Sequence, residues 1–333
     1  MSERKKINSK VGGDPELFIF DTSLNEYVPS CGLIGGTKAA GVSFSGAPRG
    51  VTWLEDNVAV ELNFRPFIDP IDFYLGIPAM NKSVSAALKT ISPNYVPKFV
   101  SAATFRSGQL DGIAKAQEIG CEPDYCAYTK APEGGFDPKR LKRELIGAHE
   151  LGTSRYAGGH LHISFNNHAK IPHYAIAMLC DAFIGLPSII FDRQGPRRKF
   201  YGLAGLYRPK SPNYIEYRTM SNWWMNMEDI QLTNKSYTNK ADWICAFFKQ
   251  VFALPDLLAQ NPDAMASLFG KLPLQDIQHV INNEDANEAC KLYRDVEGLI
   301  FSSGVDGMYR RGAVHLNWRS LTDLNTTILR KEA

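Results

Sequence analysis

Alternation of apolar and polar positions picks out a series of short strands. In residues 11–20, Asp14, Glu16 and Phe18 share one face, and a turn built from Asp21, Ser23 and Asn25 ends the run. Pro15 cannot donate a ladder hydrogen bond, which predicts a strand start or an edge there. In residues 57–64, Val58, Val60, Leu62 and Phe64 form an apolar face, and Asn57, Glu61 and Asn63 line the other. Residues 95–110 add a further strand. In residues 158–165, Gly158 and Gly159 precede a strand with His160, His162 and Ser164 on one face and Leu161, Ile163 and Phe165 on the other. Those glycines suit close approach by a ligand or another backbone. In residues 214–218, Glu216 and Arg218 fall on the same side.

Helical spacing governs other stretches. Residues 69–91 form an amphipathic helix with Asp69 or Asp72 near its start and Pro93 past its end. Residues 170–190 read as a core helix that Pro187 closes or kinks. Residues 242–260, 274–283 and 287–301 are helical, with Trp243, Phe247, Phe248 and Val251 as packing surface. Residues 32–50, rich in glycine, serine and proline, form a loop able to fold over a site. The architecture expected is α+β: an antiparallel sheet whose apolar side packs on helices and whose other side is polar. Residues 1–225 make the catalytic core and 226–333 a helical extension packed on it, in one continuous domain.

The polar face is what carries chemistry. It gathers Asp14 and Glu16; Glu61 and Asn63; Glu122 and Asp124; His160, His162 and Ser164; Glu216 and Arg218. Carboxylates drawn together with few matching lysines call for divalent cations, and oxygen-rich ligation favours magnesium or manganese over zinc. His-x-His taken alone also fits a zinc dyad or a plain polar strand face. A basic run, Arg193, Arg197, Arg198 and Lys199, leads to Tyr201-Gly202, Gly205 and Arg208. It suits a phosphate-facing loop, with a solvated surface run as the alternative.

Composition narrows the classes. The 333 residues are 44% hydrophobic and 22% charged with a net charge of +2, which offers no dedicated nucleic-acid surface. No stretch has transmembrane length, and residues 1–10 read as neither signal nor anchor, so a cytoplasmic location is expected. The six cysteines are scattered and read as reduced thiols; Cys121 and Cys126 lack a second pair to complete a zinc knuckle. The glycine-rich loops of P-loop and dinucleotide-binding enzymes are missing.

Six motifs in order, Asp14-Pro-Glu16, Val60-Glu61-Leu-Asn63, Gly120-Cys-x-Pro-Asp124, Gly158-Gly-His160-x-His162, Arg197-Arg198-x-x-Tyr201-Gly202 and Glu216-Tyr-Arg218, resemble the carboxylate–amine ligases with a glutamine-synthetase-like fold. The likeness is strongest to the type 2 COOH–NH2 ligases (amidoligases) of tailed phages and spans residues 11–225. It implies a curved antiparallel sheet and ATP-dependent joining of a carboxylate to an amine through an acyl phosphate, with ATP and two Mg2+ or Mn2+ ions. It implies metal ligation by Asp14, Glu16, Glu61, His160 and Glu216. ATP would be contacted by His160, His162, Ser164, Arg198, Arg208 and Arg218. Glu61, Glu216, Arg218 and Arg198 would take catalytic roles, and Asn63, Glu122, Asp124 and Arg193 would face substrate. A homo-oligomer is compatible with it, and for a phage-encoded chain the location would be the host cytoplasm. A guanidino-kinase-like phosphotransfer on the same fold and a His-x-His metal hydrolase are the rival readings.

Overall fold

The computed structural model describes residues 9–117, 124–129, 152–167, 169–226 and 240–303. Strand β1, Lys10–Asp21, is its hub. Its first half pairs with β9 (Gly159–Ser164), Asp14 standing opposite His160. Glu16 and Leu17 pair with β4 (Ala59–Asn63), Glu16 opposite Glu61. Its last residues pair with β2 (Glu26–Val28) and β5 (Tyr95–Lys98). Pro15 therefore lies inside a strand and not at an edge. It sits where the β9 ladder ends and just before the β4 register begins, so its missing N–H falls at a change of neighbours.

Among the described residues, nine strands join one antiparallel sheet. Beyond β4 lies β3 (Thr52–Asp56); beyond β9 come β11 (Tyr214–Tyr217), β10 (Leu206–Ser211) and β7 (Tyr125–Cys126). Strands β3 and β4 form a hairpin that periodicity did not reveal. Asn57 has φ of +56° and belongs to its turn, so the expected 57–64 strand is shorter, though Glu61 and Asn63 keep their common face. The expected 95–110 strand divides into β5 and β6 (Ala102–Thr104), and β6 pairs with β8 (Ser154–Tyr156) in a separate two-stranded sheet.

The apolar side of the sheet is buried under helices. Helix α1 (Pro70–Ile91) starts at Asp69, whose carboxylate accepts from the N–H groups of Ile71 and Asp72. Its Phe73 packs on Trp224 and on Phe248 and Phe252 of the later helix Lys240–Gln260. The 170–190 helix is interrupted. Helix α2 (His173–Cys180) widens into a π-turn at Asp181–Gly185 before Pro187 is reached. The buried Asp181 accepts there from the Tyr217 hydroxyl at 2.7 Å. Helices α3 (Lys240–Gln260), α4 (Pro262–Phe269), α5 (Leu274–Asn283) and α6 (Ala286–Ser302) follow, and Trp243, Phe247, Phe248 and Val251 are buried in the same core as the sheet. Helix α4 has no counterpart in the periodicity reading. No helix among the described residues is long and apolar enough to cross a membrane.

A second, smaller core lies under Phe18 and includes Phe105, Leu110 and Ala157. Phe18 follows Glu16 on the same side of β1, so this cluster bounds the acidic face at one end.

Candidate functional site

Two groups of ligating side chains lie side by side on the polar face. In the first, Asp14, His160 and Glu216 each offer an atom within 4.8 Å of the others. Strand order explains the meeting: β1, β9 and β11 are neighbours, and these residues point out of the sheet together. In the second, Glu16, Asp56 and Glu61 do the same, from β1 and the β3–β4 hairpin.

The two groups differ in charge balance. His162 Nε2 lies 3.0 Å from one Asp14 oxygen, and His160 Nδ1 lies 3.3 Å from the other. Glu216 meets Arg218, Arg208 at 3.1 Å and Lys210 at 2.8 Å. Arg218 Nε and Arg208 also hold the fully buried Asp124, at 2.9 and 3.3 Å. The second group meets Lys38 from the 32–50 loop, 3.2 Å from Asp56 and largely exposed. Glu16 is otherwise tied to neutral donors, the Gly158 N–H at 2.7 Å and the Tyr201 hydroxyl at 3.5 Å.

Proton affinities follow this division. Burial works against the Asp14 charge, but His162 and His160 outweigh it and hold the carboxyl well below the usual range. Burial likewise opposes Glu216, yet Arg218 above all brings it down to about 2. Burial, reinforced by Asp56 and Asp14, pushes Glu16 up to about 7. Burial and the charges of Asp14, Asp56 and Glu16 push Glu61 up to about 9. Burial and the Arg218 cation depress His160 to about 4, leaving a neutral imidazole. His162 is raised: burial opposes its charge but Asp14 prevails, which favours the imidazolium and not a metal-binding form.

These features fit a hard divalent cation at Glu16, Asp56 and Glu61. The carboxylates there are crowded, oxygen-only and under-neutralised. The first group could accept an ion through Asp14, His160 and Glu216, but protein cations already serve it. The two histidines do not form a dyad, because both turn to Asp14.

Tyr201 joins the groups. Its hydroxyl stands 3.3 Å from His160 Nε2 as well as against Glu16, and its ring lies under Arg197 and Arg218. A side chain at Gly158 would overlap His160 and the Tyr201 hydroxyl, and one at Gly159 would overlap the Ser221 carbonyl. The space those glycines leave is thus filled by the protein itself.

Asp14, Glu16, Glu61, Asn63, Asp124, His160, His162, Arg208, Glu216 and Arg218 thus belong to one connected region. Asn63 donates to Glu61 at 3.3 Å, and Ser164 lies farther along β9, opposite Lys10 and Tyr214. Glu122 falls outside the described residues. Arg198, expected in a phosphate-facing loop, stands apart from this region. It is buried against Glu284 at 3.1 Å, Asp192 and the Gly202 carbonyl, where it ties the 196–200 turn to α5. Arg197 is buried too, donating to Gln194 and to the Met220 carbonyl. Arg193 lines a different cleft, beside Phe99, Phe191 and Trp223.

Asp56, Lys210 and Tyr214 escaped the sequence reading. Lys210 follows Arg208 by two on one strand, a signal that period two carries; Asp56 is marked by the Asp56-Asn57 turn pair. Tyr214, whose hydroxyl meets His162 Nδ1, carried no signal beyond its strand. No protein-family model matches the chain, and a search of curated proteins finds no relative.

Proposed function

We propose that this chain is an ATP-dependent carboxylate–amine ligase. The observation that carries the proposal is the adjacency, on one sheet face, of an under-neutralised carboxylate group (Glu16, Asp56, Glu61) and a cation-rich one (Glu216 with Arg208, Lys210 and Arg218). Metal-binding oxygens beside forked donors are the requirements of phosphoryl transfer. The ordered motifs that resemble the phage amidoligases narrow that chemistry to ligation.

In this reading a substrate carboxylate oxygen attacks the γ-phosphorus of ATP, and ADP leaves. The amine nitrogen then attacks the acyl carbon, phosphate departs, and an amide remains. Magnesium or manganese, when bound by the carboxylates, would neutralise the polyphosphate. Arg208 and Lys210, the more accessible cations, receive phosphate oxygens. Arg218, held by Asp124 and Glu216, positions Glu216. A carboxylate of the face takes the proton that the amine loses.

The test is release of phosphate from Mg-ATP across paired carboxylate and amine pools, with the amide identified by mass spectrometry. Turnover that requires both partners supports ligation. A phosphorylated product without amide points to phosphotransfer, and hydrolysis indifferent to both partners overturns the proposal.

A further inference from the structure

The proposed reaction leaves one element beside the carboxylates without a task, the 32–50 loop. It is braced along its length. The buried Glu55 carboxylate accepts from the N–H groups of Ile34 at 3.4 Å and Gly35 at 3.0 Å. Val42 and Trp53 exchange main-chain hydrogen bonds at 2.9 and 3.0 Å, and Phe44 stacks on the Trp53 ring with centroids 4.5 Å apart. Ser83 of α1 donates to the Gly46 carbonyl at 2.6 Å. Between the Glu55 and Trp53 anchors, Thr37 and Ala40 exchange two main-chain hydrogen bonds, which close a tight turn with Lys38 and Ala39 at its tip. That turn delivers Lys38 to the second carboxylate group. Its Nζ lies 3.2 Å from Asp56 Oδ1, and its charge also favours the ionised form of Glu61.

A braced backbone here carries a loosely held head. The Lys38 side chain is 60% exposed, and an ion pair so open to water holds weakly. An ammonium on a four-carbon stem changes partner by rotating its own bonds, with no movement of the loop. A divalent ion shared by Glu16, Asp56 and Glu61 brings twice the charge into direct contact with three carboxylates, so it takes Asp56 from the lysine. The ammonium stays tethered beside that ion and needs a new anion. Magnesium held by carboxylates keeps coordination positions for water or for phosphate oxygens. We infer that Lys38 is a mobile counter-ion of this site: it gives up Asp56 to the divalent cation and pairs with the phosphate that the cation brings. The role rests on the metal assignment of the ligation reading, and it places a phosphate-binding residue outside the strand of Arg208 and Lys210.

The experiment is calorimetric titration of the full chain with Mn2+ alone and, separately, with the manganese complex of inorganic tripolyphosphate. Lys38→Met should tighten Mn2+ about twofold to fivefold, because a competing cation is gone, and should weaken the tripolyphosphate complex about tenfold. Lys38→Arg should restore both. Lys271→Met, the same charge change on the exposed α4–α5 connection, should match wild type in both titrations. Acetic anhydride labelling of wild type, followed by mass spectrometry, gives a second reading. Mn2+ should raise acetylation of Lys38, and tripolyphosphate added with it should lower it again. Opposite shifts in the Lys38→Met variant support the role, and since they do not require amide formation, a protein that shows them and ligates nothing keeps it and loses the ligation reading. Shifts of the same sign, a shift in one titration alone, or a Lys271→Met variant that behaves like Lys38→Met overturns the role of Lys38. Wild type that binds no Mn2+ overturns it together with the metal assignment.

Discussion

Replacing Glu61 by glutamine should stabilise the metal-free protein, and increasingly so as pH rises. In the fold, Glu61 faces Glu16 across the β1–β4 register, and both carboxyls are pushed up, to about 9 and about 7, from ordinary values near 4.5. A carboxyl raised by folding binds its proton more tightly in the native state than in the unfolded chain. Its favourable contribution is complete below pH 4.5 and is lost as pH climbs through the folded-state value. For Glu16 alone the rise from 4.5 to about 7 corresponds to roughly 3 kcal/mol lost between pH 4.5 and about 7. Glutamine at position 61 cannot ionise, so it escapes the loss of stability that wild type suffers above pH 4.5 as the unfolded chain gives up a proton that the folded Glu61 holds, while keeping an acceptor for Asn63. Melting temperature followed by differential scanning fluorimetry in chelator should therefore match wild type only at or below about pH 4.5. By pH 8.5 the roughly 5 kcal/mol that wild type loses through Glu61 should put the variant about 10 °C ahead, at roughly 2 °C per kcal/mol for a chain of this size. Millimolar Mn2+ should close the gap by stabilising wild type more than the variant. A difference that is flat with pH, or a cation that stabilises both proteins equally, refutes the crowded-carboxylate argument.

Arg218→Met should cost about 3–5 kcal/mol in urea unfolding, because it strips a cation from the buried Asp124 and Glu216 together. Gly159→Ala should destabilise by about 2 kcal/mol or more in the same assay, since its methyl meets main chain at Ser221; Gly158→Ala, which meets side-chain ends, should be milder and should displace His160 and Tyr201. Divalent-cation affinity should rise from pH 6 to pH 9 with net proton release, measured by calorimetry in buffers of different ionisation enthalpy, as Glu16 and Glu61 give up their protons. His160→Ala, which lies outside the oxygen-only group, should weaken Mn2+ binding less than Glu61→Gln does and leave the zinc content measured by mass spectrometry unchanged.

Most of the polar face was legible because period two is a local property. Asp14 and Glu16, Glu61 and Asn63, His160 and His162, and Glu216 and Arg218 share their faces in the fold as their spacing requires. What the chain did not disclose depends on partners distant in sequence. Arg198, which a basic run places in a phosphate-facing loop, meets Glu284 eighty-six residues on, a contact that no local pattern carries. Asp56 became part of the site through a hairpin whose first strand, Thr52–Asp56, has no clean alternation. The different charge balance of the two carboxylate groups is likewise tertiary, since Lys210 and Arg208 reach Glu216 across the β10–β11 pair and no cation of that kind is built opposite Glu61 among the described residues.

In the proposed function the two carboxylate groups and their cations join an acid to an amine at the expense of ATP. The most direct test is ADP formation from Mg-ATP by wild type and Glu216→Gln, with carboxylate and amine pools supplied separately and together. ADP and phosphate are expected only when both pools are present, with an amide of matching amount, and neither product from the folded variant. ADP formed regardless of the pools, or undiminished in the variant, contradicts it.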